Sequence, residues 1–364
     1  MSRPLSIVVL GLSLSSSWGN GHATTYRALL RGLHAEGHQV LFLERDVPWY
    51  ANSRDLPEPD FCRLAYYRAL EDLDRFIPAI RNADAVIVGS YVPEGVDVID
   101  RVLDIGPRLM CFYDIDTPVT LAALERGEED FLARRQMPLL DVYFSFSGGK
   151  VLDRLENDFG VQRAEALYCS VDADAYAPTG EAQIWDLGYL GTYSPDRQPT
   201  LERLLIEPAR RLPQCRFVIA GAQYPDDIEW PENVERISHL PPEEHASFYS
   251  RQRFTLNVTR EDMVKAGWSP SVRLFEAAAC AAPVISDRWE GLEEIFPDGE
   301  AILIADDSDT VVKALTEMPE KIRQAKGRAA HTRVIRSHIG KVRARELVRV
   351  LLEAGGETRL AKTG

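Results

Sequence analysis

The amino-acid sequence predicts an α/β protein with two Rossmann-like domains, each built on a doubly wound parallel sheet. Two observations predict this fold class. Short apolar runs alternate with helical patterns along most of the chain, and a Pro-, Gly- and Asp-containing segment without either period, residues 171–182, divides them into two series. The length of 364 residues also suits two domains. We therefore predict domains at residues 1–176 and 177–340, followed by a C-terminal helix and tail at residues 341–364.

The first series begins with a strand at residues 6–10, followed by a polar loop that contains glycine. A helix is predicted over residues 23–36, because Tyr26, Leu29 and Leu33 recur at helical spacing and Gly37 suits a C-cap. The next strand, at residues 39–43, completes a βαβ unit whose sheet is expected to be parallel. Four further buried strands are predicted at residues 85–88, 109–113, 142–146 and 166–168.

The second series has six predicted strands, at residues 185–190, 217–220, 234–237, 254–258, 283–286 and 302–304. Helical patterns lie between them at residues 200–212, 243–250, 272–281 and 309–316, the first of which contains Pro208 and is expected to kink there. A helical apolar stripe follows residue 330. In such an architecture ligands bind at the carboxyl ends of the strands, so we expect a cleft there between the two sheets.

The composition narrows the function classes. A formal net charge of -14 argues against a nucleic-acid-binding protein, which normally presents a basic face. The five cysteines are scattered and have no C-x-x-C spacing, which indicates thiols in a reducing compartment rather than a metal site. No segment resembles a signal peptide or a transmembrane span, so we expect a cytoplasmic location.

The two best-known nucleotide-binding loops are missing. The loop after the first strand is too long for a G-x-G-x-x-G dinucleotide fingerprint, and the sequence contains no P-loop ending in G-K-[ST]. Their absence argues against a nicotinamide-dependent enzyme and against an ATP-hydrolysing enzyme.

One helix start in the second half is suited to an anionic ligand. Ser269 is a good N-cap and Pro270 then occupies the first helical position, where its missing N–H has no cost. Such a helix end directs backbone N–H groups and a positive dipole at its surroundings. Arg273 and Glu276 follow on one face, while Ser271 lies beside the helix start. The alternative is an ordinary capped helix with an i,i+3 ion pair.

A second anion-directed feature follows the first strand of the second half. The strand ends in Gly191 and Thr192, and Arg197 stands at the entrance of the next helix. Backbone N–H groups and one guanidinium at this position suit a pyrophosphate. Arg197 as a plain surface residue is the alternative. Together with Arg273 it indicates a phosphate-binding edge.

Candidate residues on the first half occupy two loops that are expected to face the cleft. Gly19 and Gly21 precede His22, which is either a contact or base for an acceptor or a capping or surface histidine. After the strand at residues 109–113, Asp114 is a candidate for taking the proton of an attacking hydroxyl, and Asp116 for capping the next helix. Two nearby acids alone are a weak signal for magnesium.

Three segments resemble the GT-B glycosyltransferases, most closely their CgeB-like (spore maturation) branch, a family 1/4-like group. The segments are Y-L-G-T-Y-S-P-D-R at residues 189–197, S-V-R-L-F-E-A-A-A-C-A-A-P-V-I-S at residues 271–286 and E-G-L-E-E-I-F at residues 290–296. The resemblance implies that Glu276 holds the ribose hydroxyls of a nucleotide sugar. It also implies that Arg197 and Arg273 hold the diphosphate, and that the last helix crosses back to the first domain.

One departure from the family pattern concerns the donor sugar. Many retaining members have an E-x7-E pair, but Trp268 stands where the first glutamate would be. The resemblance predicts a metal-independent hexosyltransferase without a cofactor. Its donor would be a UDP-, GDP- or dTDP-linked sugar and its acceptor a hydroxyl of a small molecule, glycan or protein. The alternatives are a nucleotide-sugar epimerase or hydrolase, and a non-catalytic protein that binds sugar nucleotides.

Overall fold

The structure, a computed structural model, describes residues 3–18 and 21–361. It divides into two compact units, one formed by the residues up to Ser170 and from Gly340 onward, the other by Val171–Ile339. Val171 belongs to the second unit because its amide donates to the His338 carbonyl and it bridges to Ile339. The division therefore falls a few residues before the predicted boundary at residue 176.

The first unit contains a seven-stranded sheet in the order β3-β2-β1-β4-β5-β6-β7, in which every pair of neighbours is parallel. The strands are β1 (Ser6–Gly11), β2 (Gln39–Arg45), β3 (Arg63–Tyr67), β4 (Ala85–Gly89), β5 (Met110–Asp114), β6 (Val142–Ser145) and β7 (Ala164–Ala166). This arrangement confirms the predicted doubly wound sheet.

Two edge strands differ from the prediction. Strand β3 was not predicted, and β7 lies two residues before the predicted range of residues 166–168. Both occupy the edges of the sheet and are only partly buried. A half-exposed edge strand needs few apolar residues, so its hydrophobic pattern is weak.

The α-helices before Val171 are α1 (Gly21–Ala35), α2 (Pro48–Ala51), α3 (Ile77–Asn82), α4 (Gly95–Ile105), α5 (Thr117–Glu125) and α6 (Lys150–Asn157). The long helix α1 packs its apolar stripe, which includes Leu30 and Leu33, into the core. It ends before Gly37, whose φ of 86° is the left-handed conformation expected after a helix end.

The second unit contains a six-stranded parallel sheet in the order β10-β9-β8-β11-β12-β13. The strands are β8 (Trp185–Leu190), β9 (Phe217–Ala220), β10 (Val234–Ile237), β11 (Gln252–Asn257), β12 (Val284–Ser286) and β13 (Leu303–Ile304). The six predicted strands of this half are thus confirmed, with shifts of one or two residues at some ends.

The helices of the second unit are α7 (Gln198–Leu201), α8 (Glu207–Arg211), α9 (His245–Ser250), α10 (Glu261–Ala266), α11 (Val272–Ala279), α12 (Leu292–Ile295), α13 (Ser308–Glu317) and α14 (Glu320–Ser337). A π-helical turn, Glu202–Ile206, joins α7 to α8 where a kink at Pro208 was predicted. Because Pro208 has no backbone N–H, the preceding turn lacks one ordinary helical hydrogen bond, and a wider turn fits this position.

The last helix, α15 (Gly340–Ala361), belongs to the first unit and packs along α1. The two helices touch through glycines, since a Cβ atom on Gly32 would lie 2.3 Å from the carbonyl oxygen of Gly340. Leu347 and Leu351 on α15 complete the core of the unit. Within the described residues, no helix combines the length and the apolar character needed to span a membrane.

Candidate functional site

A buried asparagine organises the carboxyl end of β11. The Oδ1 atom of Asn257 accepts hydrogen bonds from Ser271 Oγ at 2.8 Å and from Arg273 Nη1 at 3.2 Å. Its Nδ2 atom donates to Ser286 Oγ, at the end of β12, at 2.9 Å. Asn257 therefore couples the start of α11 to the ends of two neighbouring strands, and it places Ser271 and Arg273 at the same edge.

The predicted cap of α11 is wrong. The helix begins at Val272 with Ser271 as its N-cap residue, so Ser269 and Pro270 lie before it. The Ser269 hydroxyl donates to the Gly267 carbonyl at 2.7 Å, and the Ser271 hydroxyl is used by Asn257 instead of the helix end. The side chain of Ser271 thus does not cap α11, although the Leu274 amide donates to the Ser271 carbonyl at 3.1 Å. An anion-binding helix end needs amides that no side chain caps.

Arg273 is fixed by three contacts at the carboxyl ends of β8 and β11. Its Nε atom donates to the Leu190 carbonyl, and its Nη1 atom to Asn257. Its guanidinium carbon lies 4.9 Å from the centroid of the Tyr189 ring. The hydrogen-bond partners of Arg273 are neutral, and the carboxylate that acts on its charge is Glu276, one turn along the same helix.

The loop after β8 approaches Arg273 so closely that it requires glycine. A Cβ atom on Gly191 would lie 2.5 Å from the Tyr189 hydroxyl and 2.9 Å from Arg273 Nη2. The Gly191 amide donates to the Ala220 carbonyl at 2.8 Å, and the Gly191 carbonyl accepts from the Tyr224 hydroxyl at 2.9 Å. Both backbone polar groups of Gly191 are therefore hydrogen-bonded, which fixes the start of the loop.

Arg197 adds a second positive charge to this edge. Its Nη2 atom donates to the Thr192 carbonyl at 2.6 Å, while its buried Nε atom has no hydrogen-bond partner in the described part of the chain. Burial lowers the pKa of the Arg197 guanidinium, and the positive charges of Arg273 and Arg260 lower it further. A set of mutually repelling guanidinium groups with an unused donor is suited to bind an anion.

Glu276 has partners that differ from those of Arg273, so the alternative i,i+3 ion pair is absent between these two described residues. Glu276 is buried, and its Oε2 atom accepts from the Tyr249 hydroxyl at 3.0 Å. The negative charge of Glu276, after burial, also raises the pKa of Tyr176. The two charged side chains of α11 therefore have different hydrogen-bond partners, although the charge of Glu276 still acts on Arg273.

Trp268 occupies an unusual backbone position. It has a φ of 42°, directly after Gly267 with a φ of 69°. Its ring packs on Gly291, where a Cβ atom would lie 2.3 Å from Trp268 Cδ1. Where the resemblance predicted a glutamate, this chain therefore has a partly buried indole and no carboxylate.

In the first unit the structure contradicts the expected exposure of Asp114. The side chain is fully buried and accepts hydrogen bonds from Tyr143 Oη at 2.5 Å and Thr120 Oγ1 at 3.0 Å, and from the Asp116 amide at 3.1 Å. Burial raises the pKa of Asp114 to about 6. Because its oxygens are already used inside the unit, Asp114 shapes the loop after β5 and does not face an acceptor.

His22 and Asp116 lie together at the carboxyl edge of the first sheet. His22 Nε2 is 3.6 Å from Asp116 Oδ2, and the His22 ring meets Tyr91 edge to face at 5.2 Å. Asp116 is the N-cap residue of α5, but its side chain makes no capping hydrogen bond. Gly21 begins α1, whereas the predicted acceptor residue Gly19 lies outside the described residues.

Three residues of the second unit were missed from the sequence. Asn257 ends the buried strand β11 and Arg260 follows it, so a polar residue at the carboxyl end of a strand was an available signal. Tyr249 had no local signal, because its contact with Glu276 joins helices α9 and α11, which are distant in the sequence.

The comparisons with known proteins concern the second unit and the whole fold. A family model described as glycosyl transferase-like matches residues 197–349. No curated protein sequence matches the chain. The match begins at Arg197, at the end of the loop after β8, and includes Asn257 and helix α11.

Several solved structures share the fold along nearly the whole chain. Sucrose-phosphate synthase from Thermosynechococcus elongatus has 14% identity and a TM-score of 0.71, with 96% of this chain and 99% of that chain covered. Anabaena Alr3699/HepE in complex with UDP and glucose has 9% identity and a TM-score of 0.68, with coverage of 96% and 100%. The catalytic domain of starch synthase IV from Arabidopsis thaliana, bound to ADP and acarbose, has 11% identity and a TM-score of 0.66, with coverage of 97% and 100%.

At these identities the likeness shows the fold, which is that of the GT-B glycosyltransferases. The predicted fold class is therefore confirmed. The finer assignment to the CgeB-like branch stays a prediction. The chain has a GT-B, family 1-like glycosyltransferase fold, and its residues 197–349 match a family model described as glycosyl transferase-like.

Proposed function

We propose that the protein is a cytoplasmic hexosyltransferase of the CgeB-like branch that needs no metal ion. It transfers a sugar from a nucleoside diphosphate to a hydroxyl group of its acceptor. The proposed donor is a UDP-, GDP- or dTDP-linked sugar, and UDP and ADP are the nucleotides found with two structures of the same fold. The motif at residues 271–286 supports the proposed branch.

The observation that supports this function best is the arginine cluster of the second unit. The positive charges of Arg260 and Arg273 both act on Arg197, and the buried Nε atom of Arg197 has no partner among the described residues. This cluster stands out in a protein whose net charge is -14. A diphosphate would supply the missing negative charge and acceptor atoms.

The same groups would assist the chemical step. Negative charge grows on the diphosphate as the bond to the sugar breaks, and fixed donors at that position stabilise the transition state more than the ground state. Arg273 is held by Leu190 and Asn257, so it would need little rearrangement during the reaction. Guanidinium groups would thereby take the role that a divalent cation has in metal-dependent transferases.

The roles proposed for the first unit follow from position and charge at the carboxyl edge of the sheet. His22 takes the proton of the acceptor hydroxyl, and Asp116, at 3.6 Å, stabilises the imidazolium that forms. Asp114 positions the loop that contains Asp116, because its Oδ1 atom accepts from the Asp116 amide. Glu276 holds the ribose hydroxyls of the donor in the second unit.

A thermal-shift screen with UDP-, GDP-, dTDP- and ADP-glucose tests the proposal, since a ligand that binds the folded state raises its melting temperature. The best donor is then incubated in EDTA with a panel of hydroxyl acceptors. Transfer of the sugar in EDTA is expected. Release of free sugar or interconversion of the donor without acceptor would indicate a hydrolase or epimerase, and binding without turnover a non-catalytic protein.

A further inference from the structure

A buried carboxylate lies beside the ends of β11 and β12 in the second unit. Asp287 follows Ser286, the last residue of β12, and is only 6% exposed. Its Oδ1 atom accepts from Thr259 Oγ1 at 2.9 Å, and both carboxylate oxygens lie within 3.2 Å of the Thr259 amide nitrogen. Ser286 Oγ lies 3.0 Å from the Asp287 carbonyl oxygen and 3.3 Å from Asp287 Oδ1. The carboxylate is therefore an acceptor in each of these contacts.

The contacts of Asn257 determine how its amide group is oriented. The guanidinium of Arg273 has donors and no acceptor, so the amide atom that faces it at 3.2 Å must be the oxygen Oδ1. The nitrogen Nδ2 then faces the hydroxyls of Thr259, at 3.2 Å, and of Ser286, at 2.9 Å. Both hydroxyls must accept a hydrogen bond from Nδ2, so each has to donate its single proton elsewhere.

Asp287 receives the proton of each hydroxyl. Thr259 Oγ1 donates to its carboxylate, and Ser286 Oγ donates to its carbonyl or carboxylate oxygen. The hydrogen bonds thus run in one direction, from the Asn257 amide through the Thr259 hydroxyl to the Asp287 carboxylate. Turning the Thr259 hydroxyl away would remove a donor from a buried carboxylate, which is unfavourable. The charge of Asp287 therefore fixes the direction of these bonds and, with it, the orientation of the Asn257 amide.

The same carboxylate also holds the backbone that leads to Arg260. Both of its oxygens lie within hydrogen-bond distance of the Thr259 amide, at 3.2 and 3.1 Å, and Arg260 is the next residue of the chain. The positive charge of Arg260 acts on Arg197. Asp287 thus fixes the backbone beside one arginine of the cluster and, through Asn257, an acceptor of another, Arg273.

We propose that Asp287 and Thr259 are positioning residues of the diphosphate site, which act by fixing the Asn257 amide that holds Arg273. This inference rests on the proposed diphosphate-binding role of Arg273. Its consequence is that a residue without contact to the donor controls the affinity for the diphosphate and leaves the affinity for the nucleoside unchanged. A purely structural role of Asp287 would not separate these two affinities.

The first test compares Thr259→Val, which removes the hydroxyl, with Thr259→Ser, which keeps it. Calorimetry measures the binding of UDP and of uridine, or of the diphosphate and nucleoside that match the best donor in the screen above. Burial raises the pKa of Asp287, so the measurement is made at about pH 8, well above ordinary carboxyl and phosphate values. Thr259→Val should bind UDP about threefold to tenfold more weakly than the wild type, the size of one hydrogen bond, and uridine equally well. Thr259→Ser should bind both ligands as the wild type does.

A second pair of variants changes the carboxylate itself. Asp287→Leu removes every side-chain acceptor at this position, so UDP should bind at least about tenfold more weakly, while uridine binds with unchanged affinity. Asp287→Asn keeps one acceptor oxygen for the Thr259 hydroxyl. Its affinity for UDP should therefore stay within about threefold of the wild-type value.

A double-mutant cycle tests whether the effect passes through Arg273. In an Arg273→Lys background, Thr259→Val should cause little further loss of UDP affinity, because the guanidinium that the Asn257 amide holds is already gone. The matched control is Thr316→Val, which removes the hydroxyl of an exposed threonine on α13 and should leave both affinities unchanged. Melting curves identify any variant that does not fold, and the Thr259 pair decides the question if Asp287→Leu does not fold.

Two failures are distinguishable. The inference is overturned if folded Thr259→Val protein binds UDP as the wild type does, if it loses affinity for uridine to the same extent, or if its loss adds fully to that of Arg273→Lys. If no nucleoside diphosphate binds the wild-type protein, the proposed function itself is contradicted.

Discussion

The carboxyl edges of the two parallel sheets use charged residues in opposite ways. In the second unit, the side chains of Arg197 and Arg273 donate, among the described residues, to carbonyl and amide oxygens and not to carboxylates. In the first unit, the carboxylate of Asp114 is enclosed by three donors and has no exposed surface. A charged side chain at the carboxyl end of a buried strand can thus either bind a ligand or stabilise the fold.

The difference between the two edges is one of hydrogen-bond satisfaction. A buried polar group whose partners are all internal stabilises one loop conformation, whereas a fixed group with an unused donor or acceptor is available to a ligand. By this criterion the arginine cluster, in which the Nε atom of Arg197 has no partner among the described residues, is a functional group, and Asp114 is a positioning residue. The following predictions test that division, beginning with the largest expected effect.

Replacing His22 by glutamine should lower kcat by about 100-fold or more, the usual contribution of a general base. Donor affinity should stay unchanged, because the proposed donor residues lie in the second unit. Steady-state kinetics and donor calorimetry measure the two quantities. The control is His34→Gln, which changes an exposed histidine on the same helix. A loss of donor affinity without a loss of kcat would contradict the proposed role of His22 as the base.

Asp114→Asn should change the pH dependence of stability. Because burial raises the pKa of Asp114 to about 6 from an ordinary 3.8, the folded state binds the proton more tightly than the unfolded state. The stability due to this proton is present below about pH 4 and is lost as the pH rises through about 6, at most about 3 kcal/mol.

Asparagine does not titrate, so Asp114→Asn should lack that decline in the free energy of unfolding. Urea denaturation at about pH 4 and 7 measures it. The exposed-site variant Asp130→Asn should decline as the wild type does. An Asp114→Asn protein that declines equally would show that Asp114 does not titrate as described.

Arg273→Lys should weaken donor binding by about tenfold or more, because an ammonium cannot bond to Leu190 and Asn257 and also present a planar fork to a diphosphate. Calorimetry with the donor gives the ratio. Arg203→Lys is the matched control, since Arg203 is exposed and donates only weakly, to Thr200 at 3.4 Å. Equal affinities for wild type and Arg273→Lys would remove Arg273 from the diphosphate site.

Ser271→Ala should have the smallest effect. It removes the 2.8 Å bond to Asn257, but Asn257 keeps Arg273 as a donor to the same oxygen. We expect donor affinity to fall by about threefold to tenfold, near 1 kcal/mol. A loss larger than that of Arg273→Lys would mean that Ser271 contacts the donor directly.

Much of the fold was predictable because both sheets are parallel and buried, so their central strands are continuous apolar runs. The edge strand β3 and the π-helical turn before Pro208 were not predicted, since neither has a distinct apolar period. The start of α11 was placed too early because Ser269-Pro270 fits the local rules for a helix start, whereas the structure bonds Ser269 to Gly267.

The site was predictable only in part. Arg197, Arg273 and Ser271 do meet around one edge, as their positions after strands and at a helix start suggested. The burial of Asp114 could not be predicted from the sequence. It depends on Tyr143 and Thr120, and no sequence pattern indicates that these side chains contact Asp114. Side-chain partners that are distant in the sequence decide which polar residue is enclosed and which is open.

The most direct test of the arginine cluster compares Arg197→Ala with the wild type for binding of a nucleoside diphosphate and of the matching nucleoside. If Arg197 binds the diphosphate, the variant should bind UDP at least about tenfold more weakly and uridine with unchanged affinity. An equal loss for both ligands, or no loss for either, would contradict the diphosphate role of the cluster.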